Sequence, residues 1–435
     1  MAGLYGRDRY ESEALVCSNT SLVRCSRYHS FLLPEVTLIK RVFYCSSAGN
    51  IIESHRYWKR KQNNPTEVSI TFSSQIEDFC RDIGATAYFV SAYAQKTQLT
   101  DGDFTLEHRP KRTLHGIKWH LGEIIYGLGL LATALRFRAQ VALIDSGSTH
   151  FFVLTLFRAF GISVVPILHN TLWANGFPPV KPSSRLVLRL DRFFWEWVPK
   201  AVVAVSPECV RQVDSLRGKK RYPIFETRAQ FDPAYFAKIP PPPPHEQRPF
   251  QIMFIGRVSR SKGVFDILEI ARKIEDAHPG LVRWEICGRG SDFDELVVRH
   301  GELKLDGVAK LRGWTSLEEL VGVYTKSHAS IVPTRSTFAE GLAMTAAESI
   351  LTGRPVITNP VVPALEVLRS ACVEAKTNDV ESHLRAVLRL ATDADLYRRA
   401  RDASLGYQRQ FYDRDNGLAA VLKQALASQI GTSER

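Results

Sequence analysis

The sequence predicts an α/β protein made of two doubly wound halves, each a parallel sheet covered by helices on both faces. Three observations carry this. Short apolar runs alternate with helix-like segments from residue 41 onward, the pattern of strand–helix–strand units. At 435 residues the chain is longer than one hydrophobic core usually serves, which predicts two domains. Five successive prolines, Pro240 to Pro244, break the alternation near its middle, and so stiff a run suits a spacer between domains. The expected division is a first domain over 1–239, a linker over 240–249, a second domain over 250–412, and a last segment, 413–435, whose helix crosses back to the first half.

The elements follow in order. Residues 1–37 are weakly patterned decoration, and residues 41–49 read as a strand entering a small-residue loop that ends at Gly49. Further strands are expected near 68–72, 85–90, 141–145, 162–168 and 201–205. Helices are expected near 74–83, 119–138, 146–160 and around Trp195 and Trp197, while residues 94–113 are polar and loop-like. In the second half, strands near 251–256, 282–287, 310–311, 331–332 and 356–358 alternate with helices near 263–277, 291–300, 316–324 and after Gly341. Helices near 364–370, 380–390, 395–411 and 416–428 close the chain. In such folds ligands collect at the carboxyl ends of the strands.

With 45% hydrophobic and 23% charged residues, the composition is that of a soluble globular protein. The longest apolar run, 124–135, is too short to span a bilayer, and no early apolar region marks a signal peptide. Seven cysteines, an odd number without a Cys-x-x-Cys pair, argue against zinc and a disulfide framework and for a reducing cytoplasm. The net charge of +12 is uneven: residues 1–240 hold 31 Lys and Arg against 20 Asp and Glu, and residues 241–435 hold 26 against 25. The basic clusters at 56–61, 109–112 and 217–221 either meet nucleic acid, anionic lipid or an acidic glycan, or are simply solvated.

Residues 330–349 organise the second half. Ile331 and Val332 read as a buried strand, Pro333 and Thr334 stop it, and Gly341 leads through Leu342, Ala343 and Met344 into an Ala-rich helix. A glycine-containing loop that opens a helix offers unpaired N–H groups and a positive dipole end to phosphate or sugar oxygens. Glu340 stands at the mouth of this helix and Glu348 eight residues on. Read as continuous helix, that spacing sets the carboxylates ~12 Å and about 80° apart, so that they flank one elongated ligand such as a sugar nucleotide. The alternative is an ordinary strand–loop–helix with two surface glutamates.

A second cluster, Gly256-Arg257 followed by Lys262-Gly263, places two cations in a loop between strand and helix, where they can neutralise a diphosphate. Gly288 and Gly290 form a Gly-x-Gly turn after the next strand, and Gly313-Trp314 another; Trp314 borders the ligand or packs in the core. His169 and Asn170 end an apolar strand of the first half.

These motifs resemble the retaining glycosyltransferases of family 4. Pro333-Thr334 stands for that family's Pro-Ser, Glu340-Gly341-Leu342-Ala343-Met344 for its Glu-Gly-Phe-Gly-Leu, and Glu348 for the second Glu of its Glu-x7-Glu element. Ala343 replaces a family glycine, a change expected to crowd the backbone approach to the donor only slightly. The likeness spans residues 251–360 in family order and is thin before residue 140. It implies a GT-B fold, two Rossmann-like doubly wound domains facing a central cleft, and transfer of a sugar from a nucleotide-sugar donor to an acceptor hydroxyl with retention.

The resemblance implies Arg257, Lys262, Glu340 and His169 as the catalytic set, the two cations stabilising the departing phosphate. Gly256, Gly263, Gly288, Gly290, Trp314, Gly341, Leu342, Ala343, Met344 and Glu348 would bind the donor, Glu348 through the ribose hydroxyls, while Gly49 and Asn170 face the acceptor. No cofactor and no metal are expected; Asp101-Gly-Asp103 sits in a polar first-half loop. Because bacterial members that build exopolysaccharide often extend lipid-linked sugars, the acceptor is expected to be a glycan or lipid-linked glycan. The basic half would then rest on the anionic inner face of the cytoplasmic membrane with Trp58 at headgroup level, and nucleic acid is not expected as a partner. Two other readings stay open: a GT-B sugar-nucleotide epimerase or phosphorylase, and a non-catalytic basic GT-B protein that binds anionic membrane or nucleic acid.

Overall fold

Two sheets, one on each side of the proline run, organise the residues that the computed structural model describes, 38–219 and 222–429. Segment 1–37, and Lys220 and Arg221 of the third basic cluster, lie outside the described residues. In chain order the first-half strands are β1 Arg41–Ser46, β2 Ser69–Ile70, β3 Thr86–Ser91, β4 Thr97–Asp101, β5 Phe104–His108, β6 Val141–Asp145, β7 Ser163–Leu168, β8 Val202–Ala204, β9 Ile224–Glu226 and β10 Gln230–Phe231. All but β2 and β10 join one sheet in the order β4-β5-β3-β1-β6-β7-β8-β9, parallel except at the β4–β5 hairpin. Strands β1, β6, β7 and β8 are apolar and buried along almost their whole length, as covering on both faces requires.

The second half contributes β11 Phe250–Ile255, β12 Val282–Cys287, β13 Ala309–Gly313, β14 Ala329–Val332, β15 Val356–Thr358 and β16 Cys372–Glu374. They form a wholly parallel sheet in the order β13-β12-β11-β14-β15-β16. Strand order reverses between β1 and β6 in the first sheet and between β11 and β14 in the second. At such a reversal, adjacent crossovers leave to opposite faces and open a crevice at the carboxyl ends. Each half therefore carries one crevice, bounded by the loops after β1 and β6 and by those after β11 and β14.

Several elements depart from the sequence expectation. Residues 94–113 contain the β4–β5 hairpin, whose alternating inward Phe104, Leu106 and His108 lie among polar residues that mask the pattern. The Asp101-Gly-Asp103 turn closes this hairpin, with Asp101 gripping Lys59 at 2.6 Å. The strand expected at 68–72 is only β2, which pairs antiparallel with β10 outside the main sheet. Residues 146–160 hold a 3-10 turn, Phe151–Leu154, and a short helix, Thr155–Ala159, rather than one helix. The helix Pro207–Leu216 and the strands β9 and β16 were not expected; the first starts from the Ser206 cap, whose side chain accepts from Cys209 N–H.

The proline run is held against the second half. The buried Arg354 guanidinium donates to Pro240 O at 2.9 Å and to Ser327 O, and Tyr397 O–H donates to Pro243 O at 2.8 Å. Desolvation lowers Arg354 to about 10, so these carbonyls are what make its burial tolerable. The helix Leu418–Ala425 lays Leu418, Val421 and Leu422 into the first-half core beside Ile76 and Phe79, and Leu418 N–H donates to Gln75 at 2.8 Å. Among the described residues Cys45, Cys80, Cys209, Cys287 and Cys372 are free thiols, and no helix is long and apolar enough to cross a membrane. Trp58 does not reach outward as expected: it packs on His55 and Phe104 and donates to Asp78 at 2.9 Å.

Candidate active site

The two crevices meet in a cavity of about 350 Å³, lined from the first half by Tyr44, Gly49, Asp145, His169 and Asn170 and from the second by Glu340 to Met344. Tertiary structure brings the second-half loops together by backbone contact. A Cβ added at Gly263 would fall 2.1 Å from Pro333 O, so the two cation-loop and strand-loop motifs touch only because that residue is glycine. The same cavity wall closes across the halves: a Cβ at Gly341 would lie 1.9 Å from His169 O, and Thr171 N–H donates to Glu340 O.

Lys262 reaches Glu340 at 2.5 Å, while Thr334 O–H donates to the same carboxylate oxygen at 3.0 Å. The ammonium also lies 4.2 Å from the Phe338 ring centroid. Both partners are largely buried, and a buried carboxylate needs a cation and a hydroxyl of this kind. Arg257 is exposed at the same loop. Across the cavity, Tyr44 O–H donates to Asp145 Oδ2 at 2.8 Å, and the other Asp145 oxygen lies 2.8 Å from His169 Nε2. His169 is further set by Phe72, 4.5 Å between ring centroids, and by its own N–H to Ser146 Oγ.

The helix carrying Glu348 begins only at Met344 and runs Met344–Leu351. The two glutamates are therefore not joined by eight residues of helix, and the spacing expected on that basis does not hold. Thr345 O–H donates to Ile255 O at 2.6 Å and Ser349 O–H to Ser330 at 2.7 Å, which anchors the helix on β11 and β14. Glu348 is buried and accepts from Tyr324 O–H at 2.8 Å; burial pushes its carboxyl up to about 7, and the charge of Glu67 adds to this. Ala343, expected only to crowd the donor, instead sits at φ +73°, a left-handed conformation that costs a Cβ-bearing residue about 1–3 kcal/mol. A glycine, which the family-4 resemblance puts at this position, would take this backbone without that cost.

Gly288 and Gly290 also have a structural reason. A Cβ at Gly288 would fall 1.9 Å from Gly256 O, and one at Gly290 2.2 Å from Val258 O. They let the turn after β12 lie flat on the loop after β11. Trp314 is 69% exposed and is not a core residue. The second half also contains Asp292-Phe-Asp294; there Asp292 accepts from Arg260 N–H at 2.8 Å and ties the two loops together. Tyr44, Glu67, Asp145, Tyr324 and Phe338 escaped the sequence reading, and Thr334, read there as part of the Pro-Thr motif, gains its bond to Glu340 only in the fold. Of these only Asp145, an acid ending the apolar strand β6, left a visible signal.

Residues 236–405 match the family model described as glycosyl transferases group 1. No curated protein matches the chain by sequence. Among solved structures, sucrose-phosphate synthase from Thermosynechococcus elongatus is similar at TM-score 0.66 and 13% identity, over 89% of this chain and 98% of that one. The E. coli trehalose-6-phosphate protein bound with UDP-2-fluoro glucose is similar at TM-score 0.64 and 11% identity, over 91% of this chain and 100% of that one. The Anabaena HepE protein in complex with UDP is similar at TM-score 0.60 and 14% identity, over 89% and 98%. The fold is thus α/β of GT-B type, two Rossmann-like halves facing a cleft.

Proposed function

We propose that the chain is a metal-independent, retaining hexosyltransferase of family 4 type. It would carry a sugar from a nucleotide-sugar donor to an acceptor hydroxyl of a glycan or lipid-linked glycan, in exopolysaccharide or other surface-glycan synthesis on the cytoplasmic side of an anionic membrane. The observation that carries it is the Lys262–Glu340 pair at the β11/β14 crevice, facing His169 across one cavity. The group 1 match supports the donor side, and the neighbours that hold UDP and UDP-2-fluoro glucose support a nucleotide-sugar donor.

In this reading the bond from the anomeric carbon to the phosphate oxygen breaks, a bond to the acceptor oxygen forms, the acceptor's hydroxyl proton passes to the departing phosphate oxygen, and the nucleoside diphosphate leaves. Arg257 and Lys262 neutralise the charge that grows on the diphosphate, which stabilises the transition state more than the ground state. Glu340 holds Lys262 in place and turns its free carboxylate lone pairs to the donor sugar. Asp145 and Tyr44 orient His169 towards the same sugar. Glu348 takes the ribose hydroxyls, and Gly49 and Asn170 border the acceptor. No cofactor is needed for this exchange.

Turnover with a panel of labelled sugar nucleotides, with and without EDTA, tests the proposal. Transfer or slow donor hydrolysis that survives EDTA is the expected result. Neither transfer nor hydrolysis with any donor would overturn it.

A further inference from the structure

The helix Pro182–Trp197 carries two outward stripes at helical spacing. Leu186, Leu190 and Phe193 are exposed by 59%, 44% and 57%, at i, i+4 and i+7. Beside them Arg185, Arg189 and Arg192 are also exposed. The third face is buried, where Phe194 and Trp195 enter the core and Asp191 accepts from Phe152 N–H at 2.8 Å. An apolar stripe of Leu and Phe edged by arginines is the composition of a helix that lies in a bilayer interface. The helix Ile117–Phe137 shows the same openness: residues 124–135 carry no charge, yet Ile125 and Leu128 are exposed. A helix apolar on all sides is normally buried.

Both helices border a second cavity, of about 580 Å³, which reaches from Trp119 and Leu188 to Asn170 and to the loop residues 336–339 just before Glu340. We infer that the exposed face of Pro182–Trp197, with the outer face of Ile117–Phe137, docks on an anionic bilayer surface and that this cavity admits a membrane-held acceptor to the site. The inference deepens the membrane part of the proposed function. Charge complementarity selects this occupant. Two copies paired across this face would bring their arginine stripes together. Of the helix's acids Asp191 is buried and Glu196, half-buried, turns towards Gly218, so an isologous contact would repel. Lipid phosphates instead neutralise the stripe while the acyl region takes the leucines and Phe193.

The full chain is to be floated with phosphatidylglycerol-containing vesicles and with phosphatidylcholine vesicles alone. Binding to the first and not the second, weakened at about 0.5 M salt, is expected. Leu190→Glu/Phe193→Glu should lower the partitioning about tenfold or more, and Arg185→Gln/Arg189→Gln should remove most of the preference for anionic lipid. Thermal unfolding checks that each variant folds, and Leu186→Ser/Leu190→Ser serves if the first does not. No binding by the unaltered chain, binding that these variants leave unchanged, or a dimer in light scattering that Leu190→Glu/Phe193→Glu dissociates would each overturn the inference. Donor binding in solution by calorimetry is read separately: its loss in the unaltered chain would sink the transferase reading and leave the membrane face standing.

Discussion

The two walls of the cleft are built differently. On the second-half side, loop geometry is set by backbone packed directly on backbone: Gly263 on Pro333, Gly288 on Gly256, Gly290 on Val258. On the first-half side, side chains linked from Tyr44 through Asp145 to His169 line the cleft, and the neighbouring cavity is wide and aromatic. A wall made of backbone contacts holds one ligand shape and tolerates almost no added atom. A wall made of side chains can change its ligand one residue at a time. The proposed function asks for this division, a constant diphosphate on one side and a variable acceptor on the other.

The largest effects should come from the cations of the backbone-built wall. Arg257→Ala and Lys262→Ala are each expected to slow turnover on the order of 10²–10³. The Arg257 variant is the cleaner test, since the residue is exposed, whereas losing Lys262 strands the buried Glu340 carboxylate. Near-normal rates for both, in steady-state assays, would break the comparison.

Glu348 gives a pH-dependent prediction on the same wall. Its carboxyl, ordinarily near 4.5, is raised to about 7 by burial. Between those values the native state keeps a proton that the unfolded chain has lost, so stability falls as pH rises through this window and the loss is complete above it. Glu348→Gln, which keeps the partner for Tyr324, should therefore gain about 3 kcal/mol above pH ~7 and almost nothing below pH ~4.5. It should also weaken donor binding in calorimetry. Unfolding curves whose difference does not change with pH would reject the burial argument.

Asp145→Asn probes the wall of side chains. It keeps the shape but removes the charge beside His169, and kcat is expected to fall about tenfold with donor KM little changed. A change confined to melting temperature would mark these linked side chains as structural. The smallest effect is Ala343→Gly, which relieves the φ of +73° and should stabilise the fold by about 1 kcal/mol, the strain relieved less the extra freedom of the unfolded chain. A loss of stability in chemical denaturation would show that the conformation is not strained.

What the sequence determined by itself is the alternation of the two halves and the strand–loop–helix motifs of 251–360. Each of those motifs is contiguous, so the residue that ends a strand, the glycine that turns and the charge that follows are neighbours in the chain. The hairpin at β4–β5 and the short β9 and β16 were hidden because local polarity or brevity outweighed the alternation. Tertiary structure alone decided the rest. Lys262 meets Glu340 across 78 positions and Tyr44 meets Asp145 across 101, distances that no local pattern encodes and that only the strand order closes. It alone decided that Trp58 turns inward and that Leu190 and Phe193 stay open. Periodicity reports which face of a helix is apolar; whether another element covers that face depends on how the helices are placed around the sheet.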